Sequence, residues 1–402
     1  MPIINSFLNQ DLYKYTMGQC VFHQFSKQRP ITRFVFKCRN ANELVKYVEE
    51  INAELDHLCT LKHTQEELEY LSTIPFFSQD FIDFLEMLQL KREYIKCWID
   101  ESGEFRIEAN GPWMQVIWFE VFTLAIVQEV YTRNEYPDFD LTEARVRLAS
   151  KIKDAKQYGE MVRYSIADFG SRRRFSHDWH REVVATLKKE LPNTTFVGTS
   201  NVLFAKEFDL KPIGTMAHEI FMGCMGMGVR LSDSQKFTLE TWVKEYRGDL
   251  GIALSDVVGF DAFLRDFDKY FAKLYDGCRH DSGDPFIWGE KLIEHYQKLG
   301  INPMTKSAVF SDGLTFDVAF KLAERFRGRI QTSFGIGTNL TNDVGITPLQ
   351  IVMKMVELNG HPVAKVSDSA GKGMCEDAEY LKYLKKVCPL SYHAPAEPRL
   401  LQ

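Results

Sequence analysis

Beyond Gly111-Pro112 the chain keeps returning to one pattern, a short apolar run that ends in Gly, Ser, Asp or Thr and is followed by a helix-length segment. Six such endings stand out: Ser165-Ile-Ala-Asp-Phe-Gly, Phe196-Val-Gly-Thr-Ser, Pro212-Ile-Gly-Thr-Met-Ala-His, Gly251-Ile-Ala-Leu-Ser-Asp, Ser307-Ala-Val-Phe-Ser-Asp-Gly and Ile330-Gln-Thr-Ser-Phe-Gly. This is βα rhythm, and it restricts the chain to a barrel or a doubly wound sheet. In either fold, ligands sit at the C-terminal ends of parallel strands. The polar residues that close these runs therefore carry the functional weight.

The first part of the chain reads differently. Thr32 to Lys37 (TRFVFK) alternates as a strand does, 42–58 and 61–90 carry helical spacing, and 94–107 reads as two strands about a Glu-Ser-Gly turn. Two packed units are expected, 1–111 and 112–348. In the tail, Pro362-Val-Ala-Lys-Val is a strand candidate and 376–387 a helix. The most apolar stretch, Val116 to Val127, contains Glu120 and is read as a buried helix or strand too short to span a bilayer.

With a formal net charge of -6, general attraction to nucleic acid or an anionic membrane is not expected, so any anion must be held by a local basic cluster. The N-terminus lacks a basic segment followed by a long apolar one. The eight cysteines form no CxxC pair, which argues against a zinc ribbon. Reduced thiols and a cytoplasmic setting are expected.

Several clusters carry chemistry. Asp168-Phe-Gly-Ser-Arg-Arg-Arg-Phe runs a strand end into three arginines, whose planar forks suit phosphate or carboxylate; the plainer reading is a basic helix start with Phe169 and Phe175 in the core. Gly198-Thr-Ser-Asn and Gly214-Thr-Met-Ala-His-Glu place small turns after apolar runs, where backbone N–H groups meet anions. His218 stands in the second, with Glu219 expected to orient its imidazole for base or phosphoryl-acceptor work. Arg279-His-Asp-Ser-Gly-Asp-Pro reads as a loop for sugar hydroxyls with Mg²⁺ near a carboxylate, or as an Asp-rich turn. His280-Asp281 also resembles the centre of a metal-dependent phosphohydrolase. Ser311-Asp-Gly-Leu and Phe334-Gly-Ile-Gly-Thr-Asn together suggest a phosphate held between neighbouring loops. Gly223, Gly226 and Gly228 are ascribed to helix packing, and Lys365 and Asp368 to phosphate contact or a solvated strand end.

These motifs, taken in order with Asp11-Leu-Tyr-Lys-Tyr-Thr-Met, closely resemble the nicotinate phosphoribosyltransferase family in its bacterial and yeast form, over nearly the whole length. The resemblance implies an irregular α/β barrel of the type II phosphoribosyltransferase kind, with an N-terminal α/β domain that 349–402 helps complete. It also implies transfer of a phosphoribosyl group from phosphoribosyl pyrophosphate to nicotinate in NAD biosynthesis, coupled to ATP through a phosphohistidine at His218. Phe169 and a partner subunit's Tyr13, in a homodimer, would sandwich the pyridine, Arg172 would meet its carboxylate, and Arg279 and Asp281 would meet the ribosyl pyrophosphate, with Mg²⁺ alongside. The loops Ser311, Asp312, Gly313 and Gly335, Gly337, Thr338, Asn339 would take the 5′-phosphate. Related nicotinamide enzymes carry Asp where this chain has Ser200, which favours the acid as substrate. A metal-dependent phosphohydrolase and a non-catalytic binding barrel remain the alternatives.

Overall fold

The alternating run at 31–38 forms the centre of an antiparallel sheet because its inward residues, Thr32, Phe34 and Phe36, are the buried ones. The structure is a computed structural model that describes residues 2–40, 43–369 and 371–388, so Asn42 and the chain from 389 onward lie outside the described residues. In chain order the strands are β1 (Ile31–Cys38), β2 (Ile95–Ile99), β3 (Phe105–Pro112), β4 (Ile166–Asp168), β5 (Phe196–Thr199), β6 (Arg247–Leu250), β7 (Ile252–Leu254), β8 (Gly277–His280), β9 (Ser307–Phe310), β10 (Gln331–Ile336), β11 (Ile351–Leu358) and β12 (His361–Pro362).

One sheet has the order β12-β11-β1-β3-β2. Phe34 pairs with Ala109 on one side and with Met355 on the other, so a strand from the far end of the chain sits beside β1. The turn between β2 and β3 is closed by Asp100, whose carboxylate accepts the N–H groups of Ser102 and Glu104. Helical material expected over 61–90 is two helices, Gln65–Ser72 and Gln79–Met87, with Pro75 between them. The first begins with a Thr64/Glu67 capping box.

The second sheet is parallel, ordered β5-β4-β10-β9-β8-β7. Its two edges are joined by the run at 212–215. Ile213 N donates to Thr199 O at 2.8 Å on the β5 side, and Thr215 Oγ1 donates to Ile252 O at 2.9 Å on the β7 side. The ring therefore closes as an irregular α/β barrel. The strand expected at 212–218 is reduced to one bridge, Thr199 to Pro212, before the chain enters the helix His218–Met225. Pro212 has no N–H to continue a ladder.

Three expectations are corrected here. Arg279 and His280 were read as loop but end β8, paired with Val309 and Phe310, because the polar cluster begins where a parallel strand finishes. The tail strand expected at 362–366 is only two residues, whereas the long one, β11, lies just before it. Finally, the apolar stretch lies within a helical run over Trp113–Glu135 that is long and apolar enough to cross a membrane, though it is mostly buried inside the protein. It is buried on nearly all sides, its polar Glu120 and Gln128 included, as a core helix is.

Candidate active site

A cavity of about 550 Å³ opens at the C-terminal ends of the parallel strands, walled on its far side by β11. Seven cationic side chains line it (Arg39, Arg172, Arg173, Arg279, Lys354, Lys365 and Lys372) against five carboxylates (Asp11, Glu120, Glu219, Asp281 and Asp312). In a chain of net charge -6 this local excess of cations favours an anionic ligand.

The corner after β4 is built by a residue with no contact to the cavity. Asp168 is fully buried; its carboxylate accepts hydrogen bonds from Gly170 N at 2.9 Å and Thr199 Oγ1 at 2.6 Å, and pairs with His180 Nε2 at 2.7 Å. That fixes the turn and divides the three arginines. Arg174 is buried and donates to Asn9 Oδ1; Arg173 lines the cavity but donates to Ile351 O of β11; Arg172, also in the lining, stands 3.7 Å from Glu120. Phe169 lines the same wall.

Tyr13, which the resemblance drew from a partner subunit, lines this cavity from its own chain. The reason lies next to it. Leu12 N donates to Ser200 O and Ser200 Oγ donates to Asp11 Oδ1 at 2.6 Å, which ties the start of the helix Leu12–Phe25 to the end of β5. Ser200 does line the cavity, but its hydroxyl is committed to Asp11.

His218 opens a helix and is almost wholly buried. Glu219 does not orient it. Neighbouring helix positions diverge around the axis, and Glu219 instead receives Lys14 Nζ at 2.5 Å and Trp113 Nε1 at 2.7 Å. The partner of His218 Nε2 is Asp256 Oδ1 at 2.9 Å, with Asp281 Oδ2 at 3.5 Å. Burial, reinforced by the nearby Lys365 cation, brings the imidazole down to about 4 against the opposing pull of Asp256. It is neutral at pH 7, and with the hydrogen on Nε2 assigned by Asp256 the lone pair is left on Nδ1. Asp256 also accepts from Ser282 Oγ at 2.7 Å and Lys365 Nζ at 3.1 Å. Burial alone would raise Asp281, but His218, Lys365 and Arg279 outweigh it and hold the carboxylate low.

Asp256 was visible in the sequence only as the last residue of an apolar run. Lys365 is no solvated strand end, since it is buried against Asp256. Asp368 accepts the backbone N–H of Phe260 rather than facing the cavity. Burial brings Lys354, on β11, down to about 8.

The two late loops meet. Asn339 Nδ2 donates to Gly313 O at 3.1 Å and Leu314 O at 3.0 Å, and Gly313 has a left-handed φ of 59°. Ser311, Asp312, Gly313, Gly337, Thr338 and Asn339 all line the cavity, whereas Gly335 does not. Gly335 lies in β10 under the Phe169 ring. Arg279 and Asp281 share a face of the chain and reach the cavity, while His280 turns the other way, against Trp288 and Phe310. The pair expected of a metal-dependent phosphohydrolase is therefore split between two sides of the strand.

Ligand atoms of His218, Asp256 and Asp281 lie within 4.8 Å of one another. A hard cation such as Mg²⁺ prefers an all-oxygen set, and Lys365 already occupies one side of Asp256. Asp312 is likewise paired with Lys372, so Asp281, which faces the cavity, is the carboxylate that would meet a Mg²⁺ entering with a polyphosphate.

A closed ring of parallel strands whose rim gathers arginines, a buried histidine–carboxylate pair and two joined glycine loops defines an α/β barrel with a cation-rich pocket suited to an anion. The sequence matches the model of the nicotinate phosphoribosyltransferase (NAPRTase) family over residues 164–391 and that of the nicotinate phosphoribosyltransferase N-terminal domain over 8–128. The chain belongs to this family. It is 51% identical to the nicotinate phosphoribosyltransferase of Acinetobacter baylyi, covering 98% of each chain, and 52% identical to that of Bordetella petrii, covering 96% of this chain and 99% of the other. Among solved structures, nicotinate phosphoribosyltransferase from Vibrio cholerae superposes with a TM-score of 0.93 at 40% identity, over 97% of this chain and 95% of that one. The enzyme from Porphyromonas gingivalis gives 0.90 at 34% identity, over 96% and 100%.

Proposed function

We propose that this protein joins nicotinate to 5-phosphoribosyl 1-pyrophosphate, giving nicotinate mononucleotide and pyrophosphate, and that it couples this to ATP hydrolysis through phosphorylation of His218. The observation that carries the reading is the shared cavity, which Phe169, Tyr13 and Arg172 line together with Arg279, Asp281 and the 311–313 and 337–339 loops. Aromatic walls and a guanidinium suit a planar pyridine carboxylate. The loop backbone N–H groups and the Arg279 cation suit a 5′-phosphate and a pyrophosphate.

In the transfer, the ring nitrogen of nicotinate forms a bond to the anomeric carbon while the bond to the pyrophosphate oxygen breaks, and the electron pair leaves with pyrophosphate. The chain's part is to align the two reactants and stabilise the departing charge, a role that suits the Arg279 and Lys365 cations lining the cavity. Mg²⁺ bound with the pyrophosphate would add cationic charge to the leaving group. In the ATP step, Nδ1 of His218 attacks the γ-phosphorus, the bond to ADP breaks, and Asp256 stabilises the imidazolium-like product through Nε2–H. The reading carries a cytoplasmic setting, supported by eight free cysteines, six of them buried.

The test is nicotinate mononucleotide formation with and without ATP, together with labelling from γ-labelled ATP. Wild type is expected to take an acid-labile, base-stable phosphate, and His218→Ala to take none and to lose the ATP stimulation. Equal labelling of the two proteins would rule out His218 as the acceptor.

A further inference from the structure

Beside Arg172 and Tyr13 lies a buried ionic network around Lys14 that the reaction as described does not use. Lys14 has no exposed side-chain surface and sits 2.7 Å from Glu120 and 2.5 Å from Glu219. Trp113 Nε1 donates to the other oxygen of Glu219. Glu120 Oε2 faces Lys14, while its Oε1 stands 3.7 Å from Arg172 Nη1, beyond hydrogen-bond reach. Lys354, on β11, is the further cation facing Glu120. Tyr13 and Phe34 close over the ammonium, their ring centroids 5.7 Å and 5.9 Å away.

Without Lys14 the arrangement is unfavourable to an anion. Glu120 would lose the cation 2.7 Å away on its far side, and with only Lys354 left to face it there would be free to take the bidentate bond that Arg172 offers a ligand. With Lys14 in place Glu120 is held on its far side. We propose that Lys14 is a positioning residue that keeps Arg172 available to an anionic pyridine by holding Glu120 away from the guanidinium, and so sets the preference for an acid over its neutral amide. This rests on the reading that Arg172 receives the nicotinate carboxylate.

Binding of nicotinate and of nicotinamide, its neutral counterpart, is measured by calorimetry on the full chain, alongside steady-state kinetics. Lys14→Met is expected to weaken nicotinate about tenfold or more, to change nicotinamide less than about threefold, and to leave kcat at saturating nicotinate within about threefold. Lys14→Met combined with Glu120→Gln removes the competing carboxylate and is expected to return nicotinate binding to within about threefold of wild type. If the single variant does not fold, the double variant decides the matter. Equal weakening of both pyridines, unchanged nicotinate binding in Lys14→Met, or a folded double variant that still discriminates against nicotinate overturns the role of Lys14. Wild type that binds nicotinate but is indifferent to Lys14 leaves the proposed function standing; wild type that does not bind nicotinate overturns both.

Discussion

Gly335 shows how one residue outside the cavity lining sets the shape of the site. A Cβ there would lie 2.2 Å from Phe169 Cδ2, so the strand can pass beneath the ring only as glycine. Gly335→Ala is expected to tilt Phe169 into the cavity, destabilising the fold by about 1–3 kcal/mol and raising KM for nicotinate more than that for phosphoribosyl pyrophosphate. Urea denaturation and steady-state kinetics check the two parts, and an unchanged nicotinate KM would show that the ring relaxes elsewhere. The sequence marked Gly335 as a phosphate ligand because it stands in a Gly-x-Gly run, a pattern that does not distinguish a glycine meeting a ligand from one meeting a side chain. His218 was legible from its turn, but its partner was not. Asp256 lies 38 positions away, and only the closed ring brings the two together.

Among the elements, the parallel strands were readable because each is short, apolar and ends in a small or acidic residue. β8 was not, since its second half, Arg279-His280, is polar and looks like the loop that follows. β11 was missed although Gly345 and Pro348 stand ahead of it and Asn359-Gly360 behind it, the punctuation that bounds a strand. The two phosphate-loop candidates were legible as a pair, but not the side chain that joins them. Asn339 makes two hydrogen bonds across to Gly313 and Leu314, each with a net contribution of about 1 kcal/mol. Asn339→Ala is therefore expected to raise KM for phosphoribosyl pyrophosphate by about fivefold to thirtyfold, with little change for nicotinate. Equal effects on both substrates would mean that the loops do not act as a separate subsite.

At the scale of the whole molecule, buried histidines make stability depend on pH. His63 is held between Tyr15 and the carbonyl of Leu85, and burial brings it down from 6.5 to about 4. Between those values the unfolded chain binds a proton that the folded chain refuses, so stability falls as pH drops from about 6.5 towards 4. The loss reaches about 3 kcal/mol at the lower limit. His218, lowered in the same direction, adds to it. Urea midpoints measured from about pH 7 down to about 4.5 should decline in wild type, and more shallowly in His63→Gln. Parallel curves would place the acid sensitivity elsewhere.

The position of β11 has a consequence for how the protein is made. It lies between β12 and β1, so the flank of β1 opposite β3 has no partner until residues 351–358 have been synthesised. At translation speeds of roughly 5–20 residues per second, the gap between the end of β3 and the start of β11 leaves that strand edge open for about 10–50 s on the ribosome. During that interval the nascent chain presents Ile31 to Cys38 as a naked template for pairing with any other strand. The same late strand completes the cavity wall, so a chain truncated before it lacks a finished site as well as a finished sheet.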